Sequence, residues 1–177
     1  MEIKKLANDA INFSINRVIE IFGIGIAVIG LLLLFSLISY SPNDPNFIFP
    51  ENTQIKNLLG FRGSFTADLL FQSFGLISLL IPFTLILAGT NIILSKQIFL
   101  IIESFFYTIL YLIFGSLFFS FFYLNAFKLY INGNGGFVGK YLESTFLNSL
   151  ISINPQIFYY ILILIILTLF LISIQFK

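Results

Sequence analysis

Residues 21–40 read IFGIGIAVIGLLLLFSLISY, twenty positions without a charged side chain. About 20 mostly apolar residues in a helix are what the ~30 Å hydrocarbon core of a bilayer requires. Working outward, no charge lies between Glu20 and Asp44, Asp68 and Lys96, Glu103 and Lys128, or Glu143 and Lys177, and these gaps hold 23, 27, 24 and 33 residues. Barrel strands alternate apolar and polar residues over about ten positions, whereas these runs are continuous and much longer. In lipid the remaining way to satisfy every backbone polar group is the helix. The expected fold is an all-α membrane protein with four transmembrane helices near 21–40, 69–94, 99–123 and 157–174.

Composition agrees. The chain is 58% hydrophobic and 10% charged, with a mean hydropathy of +1.01; a soluble domain carries about 25% charged residues. The net charge of +1 offers no clustered basic patch, so nucleic acid is not an expected partner of this segment. The chain has neither Cys nor His, which removes disulfides, thiol nucleophiles and the commonest acid-base residue. Neither a cofactor nor a metal is expected.

Residues 1–20 form a cytoplasmic segment, either a short amphipathic helix on the membrane surface or a flexible tail, ahead of a four-helix domain over 21–177. The first span exceeds the roughly 7–15 apolar residues of a cleaved signal and lacks an A-x-A site. Two longer connections share one side, and both are expected to bring short interfacial helices. The first opens with Ser41-Pro42-Asn43-Asp44-Pro45, a turn signal that stops a helix, and Ser64 or Thr66 is positioned to cap the second span. The second contains Gly133-Asn134-Gly135-Gly136, too glycine-rich for continuous helix. Lys4, Lys5, Arg17, Lys96 and Lys177 fall on one side and Lys56, Arg62, Lys128 and Lys140 on the other. The denser group marks the cytoplasm, giving N-in/C-in, with Tyr40, Tyr123, Tyr159 and Tyr160 as an outer aromatic belt.

Few residues offer chemistry. Gly23, Ala27 and Gly30 share a face of the first span and suit close helix packing or an oligomer interface. Pro82 is positioned to kink the second span. Glu103, Tyr107 and Tyr111 recur at intervals of four as a candidate intramembrane polar face. Glu103 also lies close enough to the inner boundary to pair with Lys96. The run from Gly133 to Tyr141 ends in Gly139-Lys140-Tyr141 and fails the pattern G-x-x-x-x-G-K-[ST] at Asn134 and Tyr141. No catalytic set is expected.

The loops carry a family resemblance. Ser36-Leu37-Ile38-Ser39-Tyr40-Ser41-Pro42-Asn43-Asp44-Pro45 resembles the end of the first membrane helix in FtsK/SpoIIIE-type bacterial DNA translocases. Asn57-Leu58-Leu59-Gly60, Gly63 and Ala67-Asp68-Leu69-Leu70-Phe71-Gln72-Ser73-Phe74-Gly75 resemble that family's entry into its second helix. Gly135-Gly136-Phe137-Val138-Gly139 resembles its "GG-x-x-G" loop. The resemblance implies an inner-membrane anchor at the division septum, hexameric, with divisome membrane proteins as partners. It implies that a linker, an ATP-driven DNA-pumping motor and a DNA-reading domain follow beyond Lys177, so the chain is expected to be a fragment. Tyr40, Pro42, Asp44, Arg62, Asp68, Gly135, Gly136 and Gly139 are the candidate partner-contact positions.

The expected function is a non-enzymatic membrane-anchoring and assembly domain of a cell-division DNA translocase, with the lipid bilayer as its constant partner. The alternative is a small four-helix transporter or channel component, for which Glu103, Asn91 and a few Ser and Thr would have to supply the polar path.

Overall fold

The computed structural model describes residues 2–45, 54–124 and 131–175. Lys128, Lys177 and the side chains of Lys4 and Lys5, used above for orientation, lie outside what is described. Every regular element among the described residues is helical: α1 (Glu2–Ile38), α2 (Gly60–Phe74), a 3-10 segment (Gly75–Leu80), α3 (Ile81–Ser95), α4 (Leu100–Phe122), α5 (Gly136–Glu143), α6 (Phe146–Ile153) and α7 (Pro155–Ser173). Four stretches among the described residues have the length and apolarity to cross a membrane: Asn8–Ile38, Gly60–Ser95, Leu100–Phe122 and Pro155–Ser173. The end of the molecule bearing the two long connections is called outer below, the end with the turn at Lys96 inner.

α1 runs without a break through Glu20, so the amphipathic segment and the first span are one rod. Its 37 residues measure about 55 Å, against about 30 Å of hydrocarbon. It stops where Ser39, Tyr40 and Ser41 lead into Pro42, whose ring disfavours helical conformation in the residue before it.

The second span differs most from expectation. A straight helix over 69–94 would separate Leu70 from Ser78 by about 12 Å. Instead Ser78 Oγ donates to the Leu70 carbonyl at 2.9 Å. The chain bends at Gly75, whose φ of 74° and ψ of −152° are open to glycine and few other residues. α2 therefore lies across the outer end of α1, burying Gly63, Ala67 and Phe71 at intervals of four against Leu37 and its neighbours. The crossing is made by the 3-10 segment and α3, whose six and fifteen residues total about 34 Å. Pro82 kinks nothing: it sits in the first turn of α3, where its missing N–H costs no hydrogen bond.

α3 ends at the turn expected at Ser95–Gln97. Lys96 takes a left-handed φ of 60°, and its amide closes on Ile92 O at 2.9 Å. α1 packs mainly on α3 and α7 mainly on α4, with α3 and α4 meeting between them. The glycine-rich stretch breaks the second connection as expected, and α5 and α6 follow it. Thr145 caps α6 and Asn154 caps α7 through their side-chain oxygens.

Candidate functional site

Three polar assemblies hold the helices together, and they gather most of the residues singled out above. The first closes the outer end of α1. Asp44 is 1% exposed, and a buried carboxylate is tolerated only when its oxygens find donors. Its two oxygens accept the backbone N–H groups of Lys56 at 3.0 Å and Asn57 at 2.8 Å. Asn57 Nδ2 donates to the Ser36 carbonyl at 2.8 Å, and Ser36 Oγ donates to the Gly63 carbonyl at 2.6 Å. Ser64 Oγ donates to Pro45 O at 3.1 Å and Thr66 Oγ1 to Arg62 O. Neither caps α2, which begins at Gly60 and so places both inside the helix; just ahead of it Asn57 Oδ1 receives the Leu59 amide at 3.1 Å. Tyr40 OH donates to Asp68 Oδ1 at 3.0 Å. Burial and the neighbouring carboxylate push the Tyr40 hydroxyl pKa well above its ordinary value. Pro42 and Arg62 remain exposed.

The second assembly docks the glycine loop. The Asn134 carbonyl accepts the Leu76 amide at 2.9 Å, filling a position left open where the bend interrupts α2. Gly135 and Gly139 lie on Ser116 and Ser120 of α4, where a β-carbon would come within 2.4 and 2.3 Å of the Ser116 carbonyl oxygen. Ser116 Oγ in turn donates to Phe74 O at 2.9 Å, and Ser120 Oγ to Glu143 Oε2 at 2.6 Å. Asn132 pairs with Gln72 through its backbone N–H and side-chain amide, at 3.2 and 3.1 Å. Because Gln72 also approaches Asp68 at 3.5 Å, the two outer connections form one continuous cap. Tyr123 and Tyr159 share a hydrogen bond of 2.9 Å at the same end.

The third assembly lies toward the inner end. Lys96 Nζ donates to Glu20, whose carboxylate also meets Arg17. This corrects the expected Lys96–Glu103 pair: α1 packing on α3 brings Glu20 to Lys96, while Glu103, in the first turn of α4, is exposed on the inner-end cavity. Nor do Glu103, Tyr107 and Tyr111 make one polar face. Tyr111 is fully buried and shares a 3.1 Å hydrogen bond with Thr84, which also meets Ser173 at 3.3 Å; Tyr107 is half-buried. Glu103, Asn91, Gln97 and Gln175 instead line an inner-end cavity of about 750 Å³. Gln175 and Asn91 tie the end of α7 to α4 and α3.

Gly23, Ala27 and Gly30 are filled from within the chain. A β-carbon on Gly23 would lie 2.8 Å from Gly89 O, and one on Gly30 2.9 Å from Ile86. They are the seat of α3.

Residues 16–176 match the family described as the 4TM region of DNA translocase FtsK/SpoIIIE. The chain belongs to that family. Three curated relatives named DNA translocase FtsK are similar to it. The protein of Rickettsia prowazekii (strain Madrid E) is 33% identical over 82 residues, 45% of this chain and 11% of the relative. That of Rickettsia typhi is 38% identical over 64 residues, 36% and 9%, and that of Azospirillum brasilense 34% over 88 residues, 49% and 14%. The matched segments thus span about a tenth of the relatives' lengths. No solved structure matches. All three polar assemblies lie within the residues matched to the FtsK/SpoIIIE 4TM region, and the chain is a multi-pass inner-membrane protein.

Ser116 and Ser120 were not singled out from the sequence, and Ser36 and Asn57 stood there only as members of the family motifs. A signal for the first two was present: Ser116-x-x-x-Ser120 and Gly135-x-x-x-Gly139 are both small pairs four apart, the spacing that lets two helices approach closely.

Proposed function

We propose that this chain is the membrane-anchoring and assembly domain of a cell-division DNA translocase, holding a cytoplasmic ATP-driven DNA-pumping motor at the septum. The observation that carries this is the match of residues 16–176 to the 4TM region of DNA translocase FtsK/SpoIIIE. The role is positional. With both termini inside, the end of α7 leads to the motor, and anchoring several copies in one membrane raises their effective concentration for weak mutual contacts. Hexameric assembly and divisome partners belong to the same proposal. The exposed side of the outer cap, with Arg62, Phe61 and Phe137, is the surface on which such partners would act.

The packing supports an anchor over a conduit. The Thr84, Tyr111, Ser173 and Ser116 hydroxyls in the helix row are bonded to one another and to the Phe74 carbonyl, which ties helices together, while Glu103 and Asn91 line the inner-end cavity. The test is a C-terminal fluorescent fusion expressed in a dividing bacterial cell. A band at midcell is expected. Uniform fluorescence around the membrane would overturn the septal role, and Glu103-dependent ion flux in liposomes would replace the anchor by a transporter.

A further inference from the structure

Eleven of the chain's twelve glycines are explained by the chain itself. Four hold positive φ. Seven more lie so close to a neighbour that a β-carbon would come within 2.9 Å of it. Gly25 does neither: it is in mid-helix, it is exposed, and nothing lies within 4 Å of the place a β-carbon would take. Glycine weakens a helix relative to alanine, and in membranes small residues on a helix face mark where another helix comes close.

Gly25 lies on an unoccupied seam. Ile11, Ile15, Val18, Phe22, Gly25 and Ile29 follow one another at alternating steps of four and three, and all six are exposed. This is the 3.5-residue period by which paired helices interlock. The seam is about 120° around α1 from the Gly23, Ala27 and Gly30 face that α3 fills.

Two facts point to a second copy rather than lipid as its occupant. The Glu20–Lys96 pair marks the inner boundary, and Glu20 to Ile38 already spans about 27 Å. Ile11, Ile15 and Val18 therefore project past the level that acyl chains cover, among Asn12, Asn16 and Arg17. In addition, two copies in one membrane share an orientation, so their α1 helices meet in parallel and each seam residue faces its own counterpart. A charge on the seam would then repel itself. Over the stretch from Ile11 to Ile29, the two charges Arg17 and Glu20 both fall off it.

We propose that α1 pairs in parallel with α1 of a second copy of this chain along this seam, with closest approach at Gly25. This names one contact for the self-assembly proposed above, a pairing that a hexamer would have to supplement with a second surface, and rests on that reading. The chain has no native cysteine, so single cysteines can be placed at Val18, Phe22 and Ile29 on the seam and at the exposed Ile24 and Leu31 off it. Each full chain is oxidised in native membranes and run on a non-reducing gel. Strong dimer bands at the three seam positions and weak ones at the other two are expected. Gly25→Ile should lower the seam dimer about tenfold, equivalent to ~1.4 kcal/mol, while the unfolding temperature in detergent stays unchanged because nothing in the chain occupies that space. Equal bands on all faces, no dimer, an adduct of different mass, or insensitivity to Gly25→Ile would overturn the proposal. The midcell fusion separates the two readings. Seam failure with a midcell band leaves the anchor standing; seam dimers with uniform fluorescence leave the pairing without the septal role.

Discussion

Gly75 and Gly136 meet backbone to backbone, so closely that a β-carbon on Gly136 would lie 2.5 Å from the Gly75 nitrogen. Both hold positive φ, 74° and 65°. Each residue thus needs to be glycine twice over, once for its own backbone and once for its neighbour's. Gly136→Ala is expected to destabilise the cap by at least about 2 kcal/mol, combining left-handed strain with overpacking. Gly133→Ala, with φ of 73° and open space around it, carries the strain alone and should cost about half as much. Thermal unfolding of the two variants in detergent compares them.

Asp44 is expected to act as a fold closure. Asp44→Ala strips the acceptor from two backbone amides at once, and leaving buried donors unmet costs about 1–3 kcal/mol. The first outer connection should then become sensitive to protease added from outside, while Asp44→Asn, which keeps one acceptor oxygen, should be intermediate. Cleavage rates in right-side-out vesicles distinguish the three.

Tyr40 ties the pH response of the same region to alkali. Its hydroxyl pKa is raised from an ordinary value of 10.0 by burial and by Asp68. A raised folded-state value means the folded protein holds the proton more tightly. Its contribution is therefore full below pH 10 and is lost as pH climbs through the raised value. Tyr40→Phe should flatten that alkaline loss and, by removing the bond to Asp68, lower stability at neutral pH by about 1 kcal/mol. Unfolding midpoints across pH 8 to 12 are the measurement.

Glu103→Gln should leave stability within about 0.5 kcal/mol of the parent, as for an exposed surface substitution. Removing Lys96 breaks a partly exposed ion pair with Glu20, which is worth about 0–1 kcal/mol. A double-mutant cycle on Glu20→Gln and Lys96→Gln should show coupling of that size, and one on Glu103→Gln and Lys96→Gln none.

Orientation has its own measurement. Single cysteines at Leu58 and Phe137, both exposed, should react with an impermeant thiol reagent from outside, and one at Gln97 should not. The opposite pattern would reverse the assignment. Asn134, 2% exposed, should stay unlabelled from either side.

The four spans were legible because charge is nearly absent where lipid must be met: the gaps in charge enclose α3 and α7 whole, and the parts of α1 beyond Glu20 and of α4 beyond Glu103. What stayed hidden was direction. Hydropathy cannot distinguish a helix that continues from one that turns on itself, so the interval from Asp68 to Lys96 read as one rod although Gly75 breaks it. Partner choice was hidden for a related reason. Glu103 lies seven residues from Lys96, whereas Glu20 lies 76 away and arrives only through the fit of Gly23 and Ala27 against Gly89. The loop motifs were visible as patterns, but their work was not: Asp44, Asp68, Gly135 and Gly139 look inward and bind the cap, leaving Pro42 and Arg62 outside.

α1 is a stiff rod gripped at two heights, by Gly63 at Ser36 and by Lys96 at Glu20, about 24 Å apart. Some 27 Å of the same helix continues past the inner grip. Between the two grips Gly23, Ala27 and Gly30 are seated on α3, so the outer half of the rod is clamped along its length. The inner half stands out as a cantilever, and a sideways load on its tip is borne at the Glu20 end of the clamp.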